Sequence, residues 1–382
     1  MVASPRVLFR RGRYAVARAR SHSHKNLLPR RTEAAACRTE AGTIVFTLAN
    51  SALAVAAITQ LALQYPDCSF LFLVRRLAKG DDPSSHYLRR LEEEEPDRFR
   101  LRVCDFSKGL ERVTILANEL KEDIQNGDAA PLAAIVCSVQ YVTYTAHSIQ
   151  LPENHDPSFT IIYLAQFNFV LRLIDCFRTK DARIVVLNDR LYWRAPRPVL
   201  ENSHRKRLPQ SRAALLRHCL MRISKAYLTL TLAFEELQRR VKKAPGLQQI
   251  KVLDLDLSSF RCIHPARTSR IDTIRRSFLS SDRDPLVREV GAAARALVAV
   301  TASEHFNGMG GHYIGTARGL REVDTSPRSK SAELQGKMFH EAMRRCGISW
   351  NEIAERAEAK SKPFYLPRRA SAPSILSSTY ST

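Results

Sequence analysis

The stretch Thr43-Ile44-Val45-Phe46-Thr47-Leu48-Ala49-Asn50-Ser51-Ala52-Leu53-Ala54 decides how this chain is built. After Gly42, residues 43–47 are apolar or β-branched with no strict polar alternation, the pattern of a short strand buried on both faces. Leu53, Ala57 and Leu61 then recur at helical spacing, and Pro66 limits that helix. A buried strand that turns at once into a helix is the opening unit of an α/β sheet.

Working outward, the same alternation repeats. Phe70-Leu71-Phe72-Leu73-Val74 is a second strand, and 84–97, with its acidic run Glu92–Glu95, is a solvated helix that ends at Pro96. Arg98–Cys104 mixes basic with apolar residues and reads as a strand near an edge. A helix is expected over 108–126, with Leu110, Val113, Leu116, Ala117 and Leu120 on one face. Ala133–Cys137, Ile184–Leu187, Ile250–Leu255 and His312–Ile314 are four more strands. Helices are expected over 159–177, 211–242 and 285–304, then near 329–346 and 349–360. Seven strands separated by helices predict a doubly wound, parallel α/β sheet of Rossmann type. Its single domain spans 42–350, between a basic extension over 1–41 and a helix end with a Ser/Thr-rich tail over 351–382. The segments 195–212, 260–285 and 318–331 read as flexible loops.

The bulk composition, 45% hydrophobic and 26% charged over 382 residues, is that of a globular protein. The net charge of +22 is not ordinary, and it favours polyanions: nucleic acid, anionic lipid or a phosphorylated cofactor. Ten Lys or Arg lie within residues 1–40 against Glu33 and Glu40. That Arg-rich, acid-poor start has the composition of a mitochondrial presequence, but a plain basic extension or a misplaced start codon is the preferred reading. A cytoplasmic protein is the leading expectation. No apolar run reaches transmembrane length. The eight cysteines have no metal-binding or redox spacing and read as buried thiols of a reducing compartment.

The order of these pieces resembles the short-chain dehydrogenase/reductase family, in particular fungal members with tailoring roles in secondary metabolism. Four segments carry the resemblance: 43–54, Leu132–Ser138, Arg183–Leu187 and Ile223-Ser224-Lys225-Ala226; Gly311–Ile314 matches the family's last strand. The resemblance implies an NADP-linked oxidoreductase acting on a carbonyl or alcohol of a small metabolite. It implies cofactor contacts at Thr47, Asn50, Arg75, Asp105, Ser138 and Lys225, with Arg75 and Arg76 placed to favour a 2′-phosphate. It also implies a homodimer paired through helices 108–126 or 159–178.

The departures from the family pattern are as informative. Its glycine fingerprint lets the backbone approach the pyrophosphate; here the two glycine places read Leu48 and Ser51. Its proton-donating Tyr, one helical turn before Lys225, is Met221, and a thioether has no proton to give. The Ser that polarises the carbonyl falls on Asp189, and the Asn of the proton relay on Ile162. Lys225 alone of the four is retained. General acids contribute about 10²–10⁴-fold, so weak or absent turnover is expected.

Other features carry less. His218 shares a face with Lys225 and reads as a boundary histidine before a displaced proton donor. Asp189, His204 and His264 have no metal-ligand spacing, and no metal site is expected. Ser138 and Ser224 lack a nucleophile-elbow context, which argues against a hydrolase. The basic run Arg194–Arg212 suits a solvated loop near a substrate entrance, or a polyanion contact. Three functions remain in view: an active reductase, a non-catalytic interaction protein with the same scaffold, and a polyanion binder. No nucleic-acid motif supports the last.

Overall fold

The computed structural model describes residues 42–75, 83–138, 157–178, 180–189, 192–193, 195, 212–260, 285–316 and 318–361. The basic extension, His204, His264, Arg76, most of the 195–212 and 260–285 segments and the tail after Ser361 lie outside the described residues, as does the His218 side chain.

The strands are β1 (Thr43–Phe46), β2 (Ser69–Val74), β3 (Phe99–Val103), β4 (Leu132–Cys137), β5 (Ala182–Asn188), β6 (Ile250–Asp256), β7 (Gly311–Thr316) and β8 (Gly319–Glu322). They form one sheet in the order β3-β2-β1-β4-β5-β6-β7-β8. β1 to β7 are parallel and β8 is antiparallel to β7. The order reverses between β1 and β4, the switch point where a doubly wound sheet opens a crevice beyond its strand ends. β3 lies at the sheet edge, where its arginines lead one to expect it.

Two helices, α1 (Ala52–Gln64) and α6 (Pro285–Ala302), cover one face, with α2 (Pro83–Glu94) beside β3. The other face carries α3 (Leu110–Asn126), α4 (Ala165–Leu173) and α5 (Arg212–Lys243), and α7 (Ala332–Cys346) lies outside α4 and α5. The strands are buried on both sides: β1, β4 and β5 contain no exposed residue. This is why their sequence runs apolar rather than alternating.

Two expectations are corrected. The segment 318–331 is not a flexible loop. Its first part is β8, which closes a tight hairpin onto β7 through Gly319 at φ 124°. Farther on, Ser326 and Ser329 are buried and hydrogen-bonded to each other. Arg321 and Glu322 make β8 too polar to read as a strand, because an edge strand is solvated on its outer side. The 159–177 helix is not uniform: Thr160–Leu164 is a π-helical turn ahead of α4, and Ile174–Cys176 a 3₁₀ turn behind it.

The last helix, α8 (Trp350–Ser361), is docked onto the body. Ile353 and Ala357 are buried, and Arg356 and Lys360 reach the buried carboxylate of Asp175 at 3.3 and 3.8 Å. Lys121 of α3 meets the same carboxylate at 2.7 Å. Phe339 of α7 is wholly buried and packs edge-on against Phe167 of α4 and Trp350 of α8. Cys68, Cys104, Cys137, Cys176 and Cys346 are buried thiols that form no disulfide. Burial pushes the thiols of Cys104 and Cys176 up to about 12, so neither is a thiolate at neutral pH.

Candidate cofactor and substrate cleft

The carboxyl ends of β1 to β5 bring Thr47, Arg75, Asp105, Ser138 and Asp189 to one end of the sheet. At the switch point, the Ser138 amide donates to Thr47 Oγ1 at 2.8 Å and the Thr47 amide to Val136 O at 3.1 Å. These bonds tie the ends of β1 and β4 together. Ser138 Oγ itself is buried without a hydrogen-bond partner.

The turn after β1 keeps the backbone path of a glycine without the glycine. Leu48 sits at φ 51°, in the left-handed region, one of two such non-glycine residues among those described. A β-carbon there costs roughly 1 kcal/mol or more. The Ala49 amide donates to Leu73 O at 2.8 Å, so the turn is anchored to β2. Ser51 is the N-cap of α1: its side chain accepts from the Ala54 amide at 3.0 Å. That hydroxyl stands where an anion would meet the helix amides. Asn50 Nδ2 donates to Ser85 Oγ of α2 at 3.5 Å.

At the ends of β2 and β3, Arg75 Nε donates to Asp105 Oδ2 at 3.3 Å, and Arg75 Nη2 to Ser107 Oγ at 3.4 Å. Asp105 also accepts from the Ser107 amide at 3.0 Å, capping the short turn Phe106–Lys108.

Asp189, Tyr192 and Trp193 follow the carboxyl end of β5, and Asp256 ends β6. Asp189 is buried at the tip of β5, and Tyr192 donates its amide to Asp189 O at 3.1 Å. Tyr192 is buried, while the adjacent Trp193 is 45% exposed. Burial, with smaller contributions from the charges of Asp254 and Asp189, raises the pKa of Asp256. Met221 and Lys225 lie one turn apart on α5, both half-buried, and Ser224 between them spends its hydroxyl on Leu220 O at 2.7 Å. The Lys225 ammonium has no partner among the described residues. Ile162 lies in the apolar core within the π-helical turn.

Sequence reasoning missed the best-formed polar cluster of the chain. His312 of β7 stands opposite Asp254 of β6 in the sheet register. Its Nδ1 is 3.0 Å from Asp254 Oδ2, and its Nε2 is 3.0 Å from Glu235 Oε1 of α5. Burial alone would lower the histidine pKa. The hydrogen bonds and charges of the two carboxylates outweigh it and push the value up to about 9. Asn188 donates to both Asp254 Oδ2 and Thr231 Oγ1 at 2.7 Å, and Gln335 of α7 donates to Glu235. The cluster borders a cavity of about 260 Å³ between α5, α7 and the sheet. The one available signal was the polar pair Asp254 and His312 inside otherwise apolar strands. Among the described residues no His, Cys, Asp or Glu cluster could hold a metal ion.

Nicotinamide dinucleotide is the cofactor that the family resemblance implies, and the described residues fit it unevenly. Arg75, for which the resemblance implies a 2′-phosphate, is half exposed and paired with Asp105. After β1 the backbone takes a left-handed turn, but at Leu48 rather than at a glycine, and the Ser51 hydroxyl already serves the helix terminus. The full group is therefore poorly accommodated.

No family model matches the chain, and no curated protein does. Solved structures that it resembles are short-chain dehydrogenase/reductases. One is an NADPH-bound carbonyl reductase from chicken fatty liver, at 11% identity and a TM-score of 0.45, covering 75% of this chain and 95% of the other. A second is a short-chain oxidoreductase from Pseudomonas aeruginosa PAO1 whose name states an atypical catalytic centre, at 14% identity and a TM-score of 0.44, covering 72% and 96%. A third is a glucose/ribitol dehydrogenase from Brucella melitensis, at 12% identity and a TM-score of 0.42, covering 72% and 96%. The class itself, a doubly wound Rossmann-type α/β protein with an antiparallel strand at one edge, is defined by the strand order.

Proposed function

We propose that this chain is a short-chain dehydrogenase/reductase-like protein with a preference for NADP over NAD and little or no carbonyl reduction of its own. One observation carries the reading. The place one turn before Lys225, where a proton donor would meet a reduced carbonyl oxygen, holds the thioether of Met221. The left-handed Leu48 supports descent from a phosphate-binding turn, since it keeps a backbone conformation that glycine adopts without steric cost. The substrate class, were turnover restored, is a carbonyl or alcohol of a small metabolite, in keeping with the half-exposed Trp193 beyond β5. The second reading, a non-catalytic interaction protein on the same scaffold, is favoured by Ser51 having taken over the helix terminus.

Titration of the purified chain with NADPH, followed by nucleotide fluorescence, tests the first part. Weak saturable binding is expected; binding as tight as that of a glycine-bearing seat would contradict the loss inferred at Leu48 and Ser51. Met221→Tyr tests the second part: a gain of ketone reduction is expected only if NADPH binds. Pairing of two copies is proposed through α3, where Ile115 is 46% exposed, because α7 and α8 occupy the outer side of α4. Sedimentation velocity on the wild type and on Ile115→Arg checks it; a monomeric wild type overturns the pairing. No helix among the described residues is long and apolar enough to cross a membrane.

A further inference from the structure

We propose that His312 is a positioning residue for the substrate side of the cleft, acting through Asp254 and Asn188 on the main chain of Asp189. The proposal rests on reading the carboxyl end of β5 as that substrate side.

The link is a single oxygen. Asp254 Oδ2 lies 3.0 Å from His312 Nδ1 and accepts from Asn188 Nδ2 at 2.7 Å. Asn188 spends its remaining capacity within the same network. It donates to Thr231 Oγ1 at 2.7 Å, and its Oδ1 accepts from the Asp189 amide at 2.8 Å. An amide held at both ends has a fixed plane, so the direction of the Asp189 N–H follows from where Asp254 stands. Asp189 O then accepts from the Tyr192 amide at 3.1 Å, which carries the constraint to the segment bearing Trp193.

His312 in turn decides where Asp254 stands. Glu235 from α5 and Asp254 from β6 face it on opposite sides, with side chains 16% and 10% exposed. Tyr192 from the cleft loop lies in the field of Asp254, Asp256 and Glu235. Glu236, next on α5, is neutralised by Arg239 and Arg240. From α7 comes the neutral Gln335. Without a cation between them, Asp254 and Glu235 would repel in a poorly solvated space and would turn toward water. Volume-matched apolar residues could fill the same space without desolvating three charges, so stability is a weak reason for the triad. What two fixed donors add to a carboxylate is direction, and Asn188 reads that direction.

The test reads the segment without any cofactor, so failure of NADPH to bind would sink the proposed function and leave this one standing. In a Trp350→Phe background Trp193 is the sole indole, since the chain has two tryptophans. In that background His312→Leu and Asn188→Leu are each expected to red-shift Trp193 emission. Each should also speed hydrogen exchange of the 188–193 peptide by about tenfold, the effect of losing one net hydrogen bond. The double variant should do no more than either single one. Arg183→Leu, at the far end of β5, should lower the melting temperature without changing either readout. Unchanged exchange in a folded His312→Leu, or additive effects in the double variant, overturns the proposal. Should His312→Leu not fold, the Trp350→Phe protein titrated from pH 7 to about 10.5 must show a Trp193 transition between about pH 8 and 10 at constant far-UV circular dichroism. A flat trace overturns the proposal just as well.

Discussion

Arg75 Nε lies 3.3 Å from Asp105 Oδ2, so two residues that the sequence assigns to the adenosine end of a cofactor hold each other. The Arg75 side chain is half exposed, and surface pairs of this kind are worth about 0–1 kcal/mol. A dianionic 2′-phosphate can displace Asp105 at little cost. Arg75→Ala is expected to weaken NADPH binding by about tenfold and to leave NADH unchanged. Equal losses for the two nucleotides in a fluorescence titration would show that Arg75 does not read the phosphate.

Leu48 at φ 51° stores backbone strain that glycine would not. Leu48→Gly is expected to raise the melting temperature slightly, by about 1 °C or less, since relief of roughly 1 kcal/mol or more only narrowly exceeds the added freedom of the unfolded chain. The same change removes the side chain from the turn after β1 and should tighten NADPH binding. A lower melting temperature together with unchanged binding would mean that the leucine packs more than it obstructs.

His312 makes stability depend on alkaline pH. Its pKa stands at about 9 in the folded chain against 6.5 ordinarily, a raised value. Its contribution is therefore complete below about pH 6.5 and is lost as pH rises through 9. At neutral pH it amounts to roughly 2–3 kcal/mol. Thermal unfolding at pH 7, 8.5 and 10 should give a falling melting temperature in the wild type and a much smaller fall in His312→Gln. Parallel falls in the two proteins would remove His312 from the account.

Asp175 fastens α8 to the body. Its side chain is 1% exposed and meets Lys121, Arg356 and Lys360. Burial raises its pKa, but the three cations, Lys121 first, bring it below the ordinary value. Its contribution is present above the ordinary carboxylate range and is lost on acidification through the lowered folded value. Asp175→Asn is expected to cost about 2–3 kcal/mol and to open the junction at 347–350 to limited proteolysis before the sheet unfolds. A variant cut no faster than the wild type would mean that Ile353 and Ala357 hold α8 unaided.

The strand and helix order was legible because burial on both faces writes itself locally, as apolar runs in β1, β2, β4 and β5. That Met221 has no proton to give is side-chain chemistry and needs no coordinates, while its place before Lys225 comes from the family resemblance alone. β8 was not legible, because Arg321 and Glu322 answer to solvent at an edge. The triad was not, because Glu235, Asp254 and His312 are separated by 19 and 58 residues and each alone has an ordinary explanation.

By itself, then, the chain's sequence determined a parallel α/β sheet, since hydrophobic periodicity is a property of single segments. Only the tertiary structure decided that Leu48 takes a glycine's conformation, that Arg75 is held by Asp105, and that a histidine charge stands behind Asp189. Each of these depends on distances between residues remote in sequence, and packing of the whole sheet is what sets such distances.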